Sequence, residues 1–487
     1  GEEGDDMRAK LIILSNDELY QVHLATLEIL ERVGMFFGSD LAIKILRDAG
    51  AIVDEKNQIV RIPSYLVKEA LQKAPERIVL CGRKPEHDIK LENSRVFFGM
   101  GSTTVKFMDI GGDRKPARKE YIGKAARLAD GLPNMRFVEQ FCCALDYQGR
   151  AQDLHEISET LLNSEKPMVG ITYSPETTRD AIKIASLIMG GEEELRKKPL
   201  LTLYSEPTAP LKHDKIYIEN VIECAKAGLP VIYGSLMVAG STGPITLAGT
   251  LAASNAEILA GLVVSELVRK GAPYIWGNIS MIFDPRTAIA SYGSPEFAII
   301  NAAGAQLARY YRLPFFGTGG VTDSKVVDGQ AVSEATMSGL MATLSGTNLI
   351  HDCGYIESAM TGSLEMLVIN DEIAAMCDRI ARGMEVNDET LATDVVADVG
   401  PGGHFLSHKH TLKFVNTEFW FPTLMDRNTV AAWAKKGSKD LLRRVREKAT
   451  DILKEHKPEP VDNSIVRDIK NIINEANRRE ASNVKKT

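Results

Sequence analysis

Eight short apolar runs recur along the chain, at residues 96–98, 137–141, 168–171, 200–204, 231–233, 274–276, 315–316 and 349–350. Most lie about 30 to 43 residues apart, with helix-like sequence between them, and that rhythm is βα repetition. Several runs follow a proline (Pro167, Pro199, Pro230, Pro273, Pro314), and several contain or end in a glycine (Gly99, Gly170, Gly234, Gly277, Gly317). Eight such units over about 260 residues predict an α/β fold closed into a (β/α)8 TIM barrel, with chemistry at the carboxyl ends of the strands. An open doubly wound sheet is the alternative, because periodicity alone cannot close a barrel.

The flanks read differently. Residues 1–6 (GEEGDD) precede Met7 and read as an appended leader, set aside from fold reasoning. Residues 7–92 predict a small N-terminal cap, helical over 16–49, with a short hairpin at 51–62 turning around Glu55-Lys56-Asn57. Residues 93–425 hold the barrel, and 426–487 form a C-terminal helical extension interrupted at His456-Lys457-Pro458-Glu459-Pro460. Its lysines and arginines read as a solvated face, with docking of an acidic partner the functional alternative. The stretch GSTGPITLAGTLAASNAEILAG is rich in small residues, so a helix there can lie close to the barrel or to a partner subunit. A homo-oligomer is expected.

The formal net charge of −7 argues against nucleic acid as a main ligand. No uninterrupted apolar run reaches the roughly 18 residues of a membrane span, and no signal peptide is evident. Six cysteines with no C-x-x-C pair make neither a disulfide framework nor a zinc ribbon, so a reducing cytoplasm is expected.

Residues 317–325, GTGGVTDSK, gather three glycines after an apolar run. The Walker phosphate loop demands lysine followed by Ser or Thr, and here Val326 follows Lys325. The dinucleotide fingerprint lacks its third glycine at Thr322. What remains is a strand ending in glycines and a mobile polar loop. His404, His408 and His410 in GGHFLSHKHT could be metal ligands, but Gly402-Gly403 disfavours helix and no H-E-x-x-H is present, so a structural or substrate-facing loop is preferred. Asp153-Leu154-His155 begins like D-x-H-x-x-G, the pattern that offers histidine to cobalt in corrinoid carriers; Ser158 replaces its glycine, and the surroundings read as an ordinary helix start.

Four ordered segments carry a family resemblance: 234–261 (GSLMVAGSTGPITLAGTLAASNAEILAG), 317–331 (GTGGVTDSKVVDGQA), 348–373 (NLIHDCGYIESAMTGSLEMLVINDEI) and 400–422 (GPGGHFLSHKHTLKFVNTEFWFP). Over nearly the whole chain the sequence resembles the trimethylamine methyltransferase (MttB) superfamily. The resemblance implies a barrel that moves a methyl group from an amine to the Co(I) corrinoid of a separate small protein, with no corrinoid (cobalamin) or metal held by this chain. Trimethylamine-specific members carry pyrrolysine in or near the stretch matching 318–325, whereas this sequence has only standard residues there. It therefore resembles the non-pyrrolysine branch, which implies a quaternary amine donor, glycine betaine first, with proline betaine, carnitine or butyrobetaine as alternatives. GTGGVTDSK then resembles the strand-six loop bordering the transferred methyl.

The strand ends supply candidates for such a site: Phe98, Glu139, Thr172, Tyr173, Ser205, Glu206, Ser235, Asn278, Thr318, His351 and Asp352. A permanent cation can be held by aromatic faces, and Phe98, Tyr173, Trp276, Phe316 and Tyr355 are the cage candidates. His351, Asn278 and the N–H groups of Gly319 and Gly320 are the expected donors to a betaine carboxylate. Glu206 is expected further out, since a carboxylate pressed on the cation would stabilise the ground state. A non-catalytic amine-binding barrel and a metal-dependent hydrolase are the rival functions.

Overall fold

The computed structural model describes residues 8–484 except Gln148 and Arg150, and the side chains of 480–484 are also outside the description. Residues 1–6, read above as a leader, lie outside the described residues. Eight parallel strands form one sheet: β1 (Phe97–Met100), β2 (Met135–Phe137), β3 (Met168–Ile171), β4 (Leu201–Ser205), β5 (Val231–Ser235), β6 (Tyr274–Asn278), β7 (Phe315–Thr318) and β8 (Leu349–Cys353). The ring closes between β2 and β3, where Val138 bridges Met168 and Val169 N donates to Val138 O at 2.9 Å. Closure excludes the open sheet. The second strand is Met135–Phe137 rather than the expected 137–141; Val138 still bridges the next strand, and the chain turns away by Phe141, whose φ is 52°.

Glycines at strand ends make room for rings. A Cβ on Gly99 would stand 2.4 Å from the Phe137 ring, and one on Gly234 would stand 2.7 Å from that of Tyr204. The interior is a separate apolar cluster of Phe137, Val169, Tyr204, Ile232, Ile275, Phe316 and Leu349. A hairpin, Ile78–Leu80 with Ile89–Leu91, belongs to that cluster and stoppers the barrel from below. Its end is tied to residues just before strands, Cys81 N to Pro199 O and Arg83 N to Glu165 O.

Helix Leu247–Val268, which carries the small residues, connects β5 to β6. By length and apolarity it could cross a membrane, yet most of it is buried inside the protein. The N-terminal helix Asn16–Glu28 covers it, with Thr26 Oγ1 donating to Ala252 O at 3.1 Å and Asn255 Nδ2 donating to Thr26 Oγ1 at 2.9 Å. The hairpin read at 51–62 is present as Ile52–Asp54 and Ile59–Arg61.

After the barrel, helices Leu441–Glu455 and Asn463–Val484 pack back on its outside, separated by the segment bearing Pro458 and Pro460. Three of their basic side chains reach back to buried acids on the barrel helices. Arg446 bonds the buried Glu365 at 2.7 Å, Lys448 bonds Asp371 at 3.1 Å, and Arg479 bonds Asp180.

Candidate active site

At the carboxyl ends of the strands, the phase of each strand decides which residues enter the barrel. Successive side chains point to opposite faces. Along β6, Tyr274, Trp276 and Asn278 all point outward to helix Leu247–Val268. Their partners are Ile258 O (2.6 Å), Asn255 Oδ1 (3.1 Å) and Ser254 Oγ (3.2 Å). Trp276 is therefore not a cage residue. Asn278 is not a substrate donor, since its Oδ1 also accepts from Ser280 N at 2.7 Å.

Phe98 is likewise turned outward, 3.6 Å from where a side chain on Gly339 of helix Gly329–Leu344 would sit. The N–H of Gly319 is given to His351 O and that of Gly320 to Ser338 Oγ, so neither is free for a carboxylate. Tyr173 turns its hydroxyl to Glu156 at 3.2 Å. It joins a structural network in which buried Asp153 accepts from Tyr173 N and Thr177 Oγ1. Burial pushes the Asp153 carboxyl up to about 7.

Phe316, His351, Tyr355 and Glu206 do converge. The His351 ring stacks on Phe316 with centroids 4.0 Å apart, and Phe316 meets Tyr204 at 5.6 Å. Tyr355 closes over them, donating its hydroxyl to Ser102 O. Glu206 accepts from Tyr204 OH at 2.7 Å. Burial raises the Glu206 carboxyl, and that hydrogen bond opposes the rise.

His351 Nε2 lies 2.8 Å from Thr318 Oγ1, while Nδ1 faces two acids, Asp352 Oδ1 at 2.9 Å and Glu139 Oε1 at 3.7 Å. Strict alternation would send Asp352 outward. A register shift between Ile350 and Cys353, with Asp352 at φ 73°, puts it beside His351 instead. Glu139 is 1% exposed. Burial, and then the charge of Asp352, push its carboxyl well above the usual range, toward the neutral acid. Neither Glu139 Oε1 nor His351 Nδ1 has a hydrogen-bond partner of acceptable geometry among the described residues.

Sequence reasoning placed Glu139, Thr318 and Asp352 among the strand-end residues but gave them no role, and it missed Tyr204 and Tyr292. Tyr204 lies two residues before Glu206, to which its hydroxyl donates at 2.7 Å, a spacing visible in the sequence although its facing is not. Tyr292 comes from the β6–β7 connection, whose hairpin Met281–Asp284/Ile289–Ser291 carries no barrel signal.

The 317–325 loop leaves the seventh strand, not the sixth, and it is braced on both sides. Asp323 accepts from Tyr292 N (2.9 Å) and Ser358 Oγ (2.7 Å), Thr322 Oγ1 donates to Glu334 at 2.6 Å, and Ser324 O accepts from Glu357 N at 2.7 Å. Those bonds replace the expected mobile loop with a strut that holds Tyr292 and the 355–358 turn over the mouth. Elsewhere, His408 accepts from His410 N as a helix cap, and His410 Nε2 faces Glu389 O. No group of three or more His, Cys, Asp or Glu residues among the described residues is arranged to hold a metal.

Fold and site together define a (β/α)8 barrel with an aromatic, carboxylate-lined mouth. The chain belongs to the trimethylamine methyltransferase (MttB) family, whose profile matches residues 5–482. It is 36% identical to trimethylamine methyltransferase MttB of Desulfitobacterium hafniense over 468 residues, covering 95% of this chain and 93% of that one. It is 35% identical to a glycine betaine methyltransferase of Desulfitobacterium hafniense strain Y51 over 428 residues, 88% of this chain and 89% of that one. The crystal structure of the hydroxylamine MtmB complex superposes with a TM-score of 0.51 at 11% identity, covering 93% and 96% of the two chains; this likeness is one of fold.

Proposed function

We propose that this methyltransferase takes a methyl group from a quaternary amine, glycine betaine, and delivers it to the Co(I) corrinoid of a separate corrinoid protein, releasing dimethylglycine. The observation that carries the reading is the buried pair Glu139 Oε1 and His351 Nδ1, 3.7 Å apart and without hydrogen-bond partners, beside the rings of Phe316, Tyr204 and Tyr355. Glu139 as the neutral acid, and His351 with its proton on Nδ1, are two donors that a substrate carboxylate would satisfy. The rings offer faces to the trimethylammonium group, at about 0.5 to 2 kcal/mol each.

The Co(I) centre supplies the nucleophile. The chain's own residues hold the donor in line, exclude water and keep Glu206 engaged with Tyr204, so that the fading positive charge is not overstabilised before transfer. The amine leaves neutral, so no general acid is required at nitrogen. Proline betaine, carnitine and butyrobetaine present the same headgroup and would be handled by the same chemistry. In this reading the chain carries no corrinoid of its own.

Incubating the protein with Co(I) corrinoid protein and glycine betaine, and following corrinoid methylation by its absorbance together with dimethylglycine release, tests the proposal. Binding of the amine without methylation by any corrinoid protein supplied would favour the non-catalytic reading.

A further inference from the structure

Residues 384–430 leave the body of the protein and expose apolar side chains that nothing in this chain covers. Helices Asp388–Leu391, Thr393–Val399, Lys409–Glu418 and Val430–Lys435 contain no buried residue. Ten large hydrophobic residues in the segment are exposed, among them Met384 (74%), Leu406 (82%), Leu412 (70%) and Phe419 (62%). Exposed apolar surface on this scale, concentrated in one segment, marks an interaction site.

The segment is anchored near its ends, on helix Leu364–Arg382 and, through Thr423 and the buried Leu424, on helix Leu441–Glu455. Arg379 donates twice to Glu418 O, Arg382 donates to Thr417 O, and Glu372 accepts from the N–H groups of Thr423, Leu424 and Met425. The helix follows β8 and runs back down the barrel, so the arm springs from the rim opposite the mouth. A corrinoid partner has to address the mouth, which makes it a poor occupant for this face.

Charge identifies a better one. Residues 385–398 carry Glu385, Asp388, Glu389, Asp394 and Asp398 and no lysine or arginine. At the arm's root, a cavity of about 560 Å³ is lined by Lys90, Arg95, Arg136 and Arg382, against the acids Asp88 and Asp378. The side chains of Lys90 and Arg136 make no hydrogen bond or ion pair among the described residues. One surface thus carries an acidic apolar arm and a basic hollow side by side, with Arg382 belonging to both. Such a patch is complementary to itself under a two-fold axis. Ten exposed apolar side chains are also of the order of the roughly 800 Å² per partner that a stable interface uses.

We propose that residues 384–430 form an arm exchanged between two copies of this chain, its acidic helices seated against the basic hollow at the bottom of the partner's barrel. The inference stands apart from the choice of substrate.

Light scattering on the full chain should give a dimer or an even-numbered assembly, and Leu406→Asp with Leu412→Asp should yield monomers with an unchanged far-ultraviolet spectrum. The reversals Lys90→Glu with Arg136→Glu should weaken association at least tenfold, and adding Asp388→Lys with Asp394→Lys should restore it. Where a variant fails to fold, mixing chains bearing Lys90→Cys with chains bearing Asp394→Cys under a short bis-maleimide gives a second readout, a cross-linked heterodimer. A monomeric wild type at tens of micromolar, association untouched by the arm substitutions, or no cross-link in the mixture would overturn the proposal. So would arm variants that keep self-association and lose only the corrinoid protein.

Discussion

Glu139 Oε1 stands 3.7 Å from His351 Nδ1 at the mouth of the barrel, both residues almost wholly buried and neither of these two atoms in a well-aligned hydrogen bond among the described residues. A buried polar atom left unpaired costs about 1 to 3 kcal/mol, so such a pair is poised for a ligand. Glu139→Gln keeps a donor at this place and should retain glycine betaine binding within about threefold. Glu139→Ala removes it and should weaken binding by roughly 5- to 150-fold, the equivalent of that penalty. Isothermal titration of the two variants decides; equal affinities would dissociate Glu139 from the ligand.

His351→Ala should cost a carboxylate-bearing donor about 1.5 to 3 kcal/mol, the worth of a hydrogen bond to a charged group, and cost tetramethylammonium much less. Equal losses for both would assign His351 to holding Thr318 and Phe316 in place rather than to the carboxylate.

Phe316 lies under His351 and against Tyr204, and in the proposed site it is one of the rings that receive the cation. Replacing it with Leu should weaken glycine betaine by about 0.5 to 2 kcal/mol while leaving 3,3-dimethylbutyrate, its uncharged-headgroup isostere, nearly unaffected. Parallel losses for the two ligands would reduce Phe316 to a packing role.

The acid at 139 also links stability to pH. Its folded-state pKa is raised above the ordinary 4.5, so the native protein holds a proton that the unfolded chain releases. Stability from this group is therefore full below about 4.5 and falls as pH rises toward the folded value. Glu139→Gln cannot ionise. Its melting temperature should exceed that of the wild type by on the order of 2 °C at pH 8, with the gap closing near pH 4. A gap that widens on acidification would contradict the assignment.

Donor methylation should follow charge. No pyrrolysine stands in 318–325, so activation has to reside in the substrate, and trimethylamine and dimethylglycine should fail as donors where glycine betaine succeeds. Corrinoid methylation from trimethylamine at a comparable rate would remove the protein from the quaternary-amine reading.

Strand count and order were readable because each barrel strand is a short apolar run fenced by Pro or Gly, and each helix between them must be long enough to cross over. The N-caps Ser174, Ser294, Asp328 and Ser363 follow from local chemistry, as does the helix break before Pro458. His351, Phe316, Tyr355 and Glu206 could be nominated because the mouth of such a fold is fixed by the strand ends. Phase could not be read. Both faces of a barrel strand are buried, so YIWGN shows no polar-apolar alternation to say that Trp276 and Asn278 face helix Leu247–Val268.

The amino-acid sequence by itself therefore determined the eightfold βα repetition, because crossover length and turn chemistry act over a few residues at a time, while closure of the ring rests on the Val138–Met168 bridge. Only the tertiary structure decided which strand-end side chains meet. The shift in register at Asp352 brings an acid beside His351, and the closure of β2 onto β3 buries Glu139 near that acid. Desolvation and charge proximity depend on groups more than two hundred residues apart in the chain, and no local pattern encodes them.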